Sequence, residues 1–298
     1  MSDTTLSKAI TSVRSLPYLS EAIYKVRNST PNRLSSILMD AIVRSLPNPY
    51  TGQVNGMKMT FNLEDKYVSR SLLFRGVWEP YQSRLLTNLS TRNSVFIDVG
   101  ANVGYYTLML ATKVKQILAF EPDPGNFSLL KHNVEQNNIV NVVLENRGIS
   151  NSTGNKKLFL SEDNYGDHRL WSNGGKSWVD VDLVRLDDYL DLTGLNVDLI
   201  KMDIQGAEWH ALEGMKRTIE ENRHMKIVTE FWPKGLVGMG ANPLNFLRSL
   251  SDSGFTLFAI DEVRKRLMPV PDSKFADYAD IQGSVNLICM PVTDHPVV

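Results

Sequence analysis

The sequence predicts an α/β protein built on a doubly wound sheet, and three observations predict it. From Ser94 onward, short apolar runs of strand length alternate with segments whose apolar residues recur at helical spacing. The first of those strands ends in a glycine turn that opens directly into a helix. The second ends in an acid about twenty residues further on, a layout that places a ligand at the carboxyl ends of the strands.

Ahead of that core, residues 1–46 read as short helices. Leu6, Ile10 and Val13 fall at helical spacing, as do Leu34, Ile37, Leu38, Ala41 and Ile42, while Pro17 and Pro31 interrupt the pattern. Residues 53–63 alternate around Asn55–Gly56, the signal of a small β-hairpin. Residues 1–90 are therefore expected to form a helical and hairpin cap, and residues 91–298 the main domain. In the core, strands are expected at 94–99, 116–120, 140–145, 197–204, 225–231, 255–260 and 285–290, with an apolar stretch at 157–160 after a turn at Gly154–Asn155 and a half-exposed strand at 179–184. Helices are expected from Tyr105, over 123–137, over 207–219 and over 243–251. Residues 162–178 are polar, glycine-rich and aromatic without a period, which marks either a long functional loop or a disordered one.

Composition narrows the class. The 298 residues are 42% hydrophobic and 22% charged, as in a globular protein, and the formal net charge is −1. That balance gives no whole-chain case for nucleic acid or an anionic membrane surface. The single cysteine, Cys289, excludes an intrachain disulfide and lies in an apolar run, where a buried thiol is expected. No stretch reads as a membrane span or signal peptide, so a cytoplasmic protein is the expectation. Oligomeric state is not legible.

The chemistry begins at residues 94–107, SVFIDVGANVGYYT. Gly100 and Gly104 have no Cβ to keep a ligand from the backbone, and Asp98 can oppose positive charge on whatever binds. Glu121, closing the strand 116–120, is placed to take the two hydroxyls of a ribose. The dinucleotide pattern Gly-x-Gly-x-x-Gly is absent, since residues 102 and 103 are Asn and Val. A cationic nucleoside such as S-adenosylmethionine (SAM) suits these carboxylates better than a pyrophosphate does.

Five ordered stretches, DVGANVGYYT at 98–107, FEPDPGNF at 120–127, LDDYL at 186–190, IKMDIQGAE at 200–208 and TEF at 229–231, resemble the FkbM-type family of SAM-dependent methyltransferases. The resemblance covers about residues 94–260. It implies a Rossmann-like sheet whose last strand is antiparallel, SAM as methyl donor, and a hydroxyl acceptor on a sugar, glycolipid or polyketide-type small molecule. It further implies that Asp98, Gly100, Asn102 and Gly104 hold the methionine part of SAM and Glu121 its ribose. Ala101, Tyr105, Pro122 and Asn146 fall in the same cofactor-binding set. Two positions depart from the family pattern: Gln205 stands where an acid often precedes Gly206, and Arg147 where a small residue is usual.

Methyl transfer to a hydroxyl needs alignment and a group to take the proton. Asp203 and Glu230, at or near the ends of core strands, are the catalytic candidates, although Asp203 could instead cap the following helix. Asp203 with Glu208 could share a divalent cation, but Gln205 weakens that pairing, and no metal site is indicated. His168, His210 and His224 are discounted. The competing readings are a nicotinamide-dependent oxidoreductase and a non-catalytic nucleotide-binding protein.

Overall fold

A computed structural model describes residues 32–162, 164–172, 174 and 177–293. The helical spacing at 6–13 lies outside the described residues. The chain divides into two compact units, which part between Trp78 and Glu79.

In the first unit a helix spans Asn32–Ser45, followed by the hairpin of β1 (Tyr50–Val54) and β2 (Met57–Phe61). Asn55 and Gly56 both take positive φ (51° and 79°), as a two-residue hairpin turn demands. A second helix, Val68–Arg75, ends at Gly76 in the left-handed conformation that favours glycine.

The second unit holds an eight-stranded sheet in the order β12-β11-β13-β10-β9-β3-β4-β5. Its members are β3 (Val95–Val99), β4 (Gln116–Phe120), β5 (Val142–Glu145), β9 (Leu199–Met202), β10 (Lys226–Phe231), β11 (Phe255–Asp261), β12 (Arg266–Pro269) and β13 (Val285–Pro291). The five strands β5, β4, β3, β9 and β10 pair in parallel, and β13 lies antiparallel between β10 and β11. This is the Rossmann-like sheet with an antiparallel last strand that the resemblance implies. The chain runs outward from β3 to β5 and then returns to β9, so strand order reverses beside β3 and opens a crevice at the carboxyl ends. Every residue of β3 and β9 is buried, which explains their apolar runs, interrupted only by Asp98 and Lys201.

Three features differ from the sequence expectation. The segment 207–219 is two helices, Glu208–Glu213 and Lys216–Glu221, because the chain at Gly214 passes against the Ser150 carbonyl, where a Cβ would collide. The half-exposed strand expected at 179–184 is present as β8 (Trp178–Val184), but it belongs to a separate three-stranded sheet with β6 (Gly148–Ile149) and β7 (Gly154–Phe159), which starts where a turn is expected. The described part of 162–178 is docked: Arg169 exchanges backbone hydrogen bonds with Phe159 at 2.7 and 3.0 Å.

Candidate active site

The glycine turn is shaped by its own backbone. The Gly100 and Ala101 N–H groups both donate to the Phe120 carbonyl, at 2.9 and 3.0 Å, which ties the end of β3 to the end of β4. Gly100 has φ +79°, and a Cβ there would strike the Asp203 carbonyl oxygen. Asn102 is also left-handed, at φ 52°. At Gly104 (φ +93°) a Cβ would lie 2.6 Å from Leu130, so this glycine lets the helix Pro124–Gln136 approach the helix Tyr105–Ala111.

Glu121 anchors the turn. Its carboxylate accepts from the Asn102 N–H at 2.8 Å and the Asp123 N–H at 2.9 Å. Burial pushes its pKa up to about 8 against those two donors, and the charges of Asp123 and Asp98 add to the rise. Asp98 is fully buried. One of its oxygens accepts from Thr107 Oγ1 at 2.7 Å, and the other, Oδ1, has no partner among the described residues.

A cleft with about 530 Å³ of free space lies over this turn. Gly100, Asn102, Glu121 and Pro122 form one wall and Asp203, Ile204 and Gln205 another. Ile149, Leu158 and Leu183 from the small sheet close the apolar side. The segment 165–170 roofs it through Tyr165, His168 and Leu170, held where Asn126 Nδ2 donates to the Tyr165 carbonyl (2.9 Å). The mixture of apolar walls with a few convergent polar groups is that of a small-molecule site.

Other residues singled out from the sequence support the cleft from behind. Asn146 donates to the carbonyls of Glu121 (2.8 Å) and Pro122 (3.1 Å) and so fixes the β4 terminus. Tyr105 packs edge-on to Tyr106 and shares a hydrogen bond with Ser83. Arg147 turns to Glu145 and lies over the Tyr189 ring.

Beyond Asp203 the cleft meets a row of polar side chains on one sheet face. Gln205, left-handed at φ 55°, donates through Nε2 to Asp203 Oδ1 (2.7 Å) and Glu230 Oε2 (3.1 Å). Asp203 and Glu230 are thus brought together, although only Asp203 lines the cleft. Burial, then the charges of Asp203 and Glu208, hold Glu230 well above the usual carboxylate range. Glu208 has a structural role: its oxygens accept from the Ile204 and Gly206 N–H groups, both at 2.9 Å, which braces the turn after β9. Asp203 makes no such cap; its oxygens face Gln205 and Lys201 instead.

Two charged members of this row were not legible as site residues. Lys201 lies in register with Asp98 on the neighbouring strand, with Nζ 3.5 Å from Asp203 Oδ2 and its side chain 7% exposed. Burial would lower its pKa, but Asp203, Asp98 and Glu79 outweigh burial and hold the ammonium above the ordinary lysine range. A lysine inside the apolar run of β9 was a usable signal, since a buried cation requires partners. Glu79 carried no such signal. It sits at φ 42° before the helix Pro80–Leu89 and accepts from Gln82 (2.6 Å), Tyr106 (2.6 Å) and Asn286 (2.7 Å). Burial and the charge of Asp203 raise its pKa.

The family model of the methyltransferase FkbM domain matches residues 98–265. Methyltransferase 1 of Beauveria bassiana is 32% identical over 41% of this chain and 59% of its own length, so the chain spans under two thirds of that relative. The hexuronic acid methyltransferase AglP of Haloferax volcanii is 26% identical over 59% of this chain and 72% of the relative. The 2-O-methyltransferase NoeI of Sinorhizobium fredii is 30% identical over 50% of this chain and 67% of the relative. The matched residues run from Asp98 through both walls of the cleft, with Lys201, Asp203, Gln205, Glu208 and Glu230 of the polar row, to the turn after β11: this chain belongs to the FkbM family of SAM-dependent methyltransferases.

Proposed function

We propose that the enzyme transfers the methyl group of SAM to a hydroxyl of a sugar, glycolipid or polyketide-like small molecule, with Asp203 as the group that receives the hydroxyl proton. The observation that carries this reading is the position of Asp203. It lines the cleft beside Gly100 and Asn102, and it is hydrogen-bonded through Gln205 to the polar row beyond.

The residues of the cleft fit SAM. The Glu121 carboxyl lines the cleft at the end of β4, where it can hydrogen-bond ribose hydroxyls, and the unpartnered Asp98 oxygen lies at the end of the adjacent strand β3. Asp98, Gly100, Ala101, Asn102 and Gly104 would hold the amino-acid end and Glu121 with Pro122 the ribose, while Tyr105 and Asn146 support the wall. When bound, SAM supplies an electrophilic methyl group on a positively charged sulfur.

The chain's own groups then divide the work. Asp203 is held at the cleft wall by Lys201 Nζ, 3.5 Å from its Oδ2, and by Gln205, which donates to its Oδ1, so its carboxyl group is positioned to receive the hydroxyl proton. Glu230 is held toward its neutral form and suits a role in orienting the acceptor through hydrogen bonds. The printed names of the Haloferax and Sinorhizobium relatives, one a hexuronic acid methyltransferase and one a 2-O-methyltransferase, support a sugar oxygen as acceptor.

The test uses methyl-labelled SAM with cell extract, followed by identification of the labelled product. The expected product is an ether. Asp203→Asn should lower kcat roughly a hundredfold or more with little change in SAM affinity, and Glu230→Gln should act more on acceptor KM. A methylated amine or carbon product, or full turnover in Asp203→Asn, would overturn the reading.

A further inference from the structure

Glu121 and the helix that follows it carry a short ladder of hydrogen bonds. Glu121 Oε1 accepts from the Asp123 N–H at 2.9 Å, and Asp123 Oδ1 in turn accepts from the Asn126 N–H at 2.7 Å, capping the helix Pro124–Gln136. Asn126 is only 4% exposed, yet it lines the cleft. Its Nδ2 donates to the Tyr165 carbonyl at 2.9 Å, a partner that can only accept, so the amide has one orientation. Oδ1 is therefore the end left over, and the side chain makes no other hydrogen bond among the described residues. An amide oxygen in so enclosed a place gains from a donor that a ligand brings.

The surroundings say which donor. The cleft has an apolar side from Ile149, Leu158 and Leu183, and Gly148 lets that side close on Pro122: a Cβ at Gly148 would lie 2.7 Å from Leu183 and 3.5 Å from Pro122. Pro122 directly follows Glu121, so this apolar slot starts beside the carboxyl that faces the ribose. The part of SAM that suits such a slot is the adenine ring, which is flat and uncharged. Its ring nitrogens only accept, and its one donor group is the 6-amino group. The other donors of SAM are placed elsewhere, the ammonium at the amino-acid end and the ribose hydroxyls at Glu121. Asn146, the other asparagine near this slot, turns its amide to the Glu121 and Pro122 carbonyls instead.

We infer that Asn126 determines specificity for the base: its Oδ1 accepts from the 6-amino group of adenine while Tyr165 holds its Nδ2, so the chain selects an adenine nucleoside over one with oxygen at that position. The inference rests on the cleft over Gly100 and Glu121 being the SAM site. Because Glu121, Asp123 and Asn126 are bonded in series, the ladder also fixes the acceptor for the base relative to the carboxyl for the ribose.

The experiment measures, by calorimetry on the full chain, the affinities of S-adenosylhomocysteine and of S-inosylhomocysteine, in which an oxygen replaces the 6-amino group. That oxygen would set an acceptor against Oδ1, so the wild type should bind S-adenosylhomocysteine at least about tenfold more tightly. Asn126→Ala should remove most of this preference, whereas a role confined to holding Tyr165 would weaken both ligands alike and leave the ratio where it was. Asn126→Asp keeps an acceptor and gives up the bond to Tyr165, so it should weaken both ligands and keep the preference. Equal affinities in the wild type, or an unchanged ratio in Asn126→Ala, would overturn the inference and leave the cleft assignment standing. Glu121→Ala separates the two: it should weaken both ligands by a similar factor, and unaltered affinity there would remove the cleft assignment and the inference with it.

Discussion

Removing the Lys201 ammonium would leave Asp98, Asp203 and Glu79 around an uncompensated, largely buried space. Breaking a buried ion cluster by deleting one partner costs about 3–5 kcal/mol. Lys201→Met should therefore unfold at clearly lower denaturant than the wild type, and unchanged stability would mean that the cluster is already neutralised by protons. Glu121 gives a second prediction, with a definite sign. Its pKa is near 4.5 when unfolded and about 8 when folded, so between those values the folded state holds a proton that the unfolded state has released. Its contribution is complete below pH 4.5 and is lost as pH rises toward 8. Glu208, raised to about 7, acts in the same direction. Without cofactor, the melting temperature should fall from pH 5 to pH 8, and the fall should be smaller in Glu121→Gln. An equal slope in that variant would assign the titration elsewhere.

At the scale of elements, the strand–glycine–helix unit was readable because each of its parts has a local cause. Apolar β-branched residues make β3, and Gly100 is needed where the turn presses on the Asp203 carbonyl. Gly100→Ala combines that collision with a strained φ and should cost about 1–3 kcal/mol. It should also shift the Asp203 backbone, so SAM affinity should fall as well; a variant with native melting temperature and affinity would contradict the close approach. The elements that were not readable depend on distant partners. The helix break at Gly214 is set by Ser150, more than sixty residues earlier in sequence. The segment 165–171 has no period of its own because its conformation is fixed by Phe159, Asn126 and Trp232. Glu79 joins the site through Tyr106 and Asn286, which no spacing in the sequence connects to it.

For the whole molecule, the parallel strands gather at one sheet edge what the sequence scatters over two hundred residues. Asp98, Glu121, Asp203 and Glu230 all stand at the carboxyl ends of neighbouring strands, and Asn286 enters the same edge because β13 is antiparallel. Among the described residues no helix is long and apolar enough to cross a membrane. The account depends most on the cleft over Gly100 and Glu121 being the SAM site, and calorimetry tests this without an acceptor. The wild-type chain should bind SAM without added metal. Glu121→Ala should weaken binding by roughly 1–3 kcal/mol, the worth of two hydrogen bonds between the ribose and the carboxyl group, while Glu230→Gln leaves it near the wild-type value. Unchanged affinity in Glu121→Ala would contradict the account.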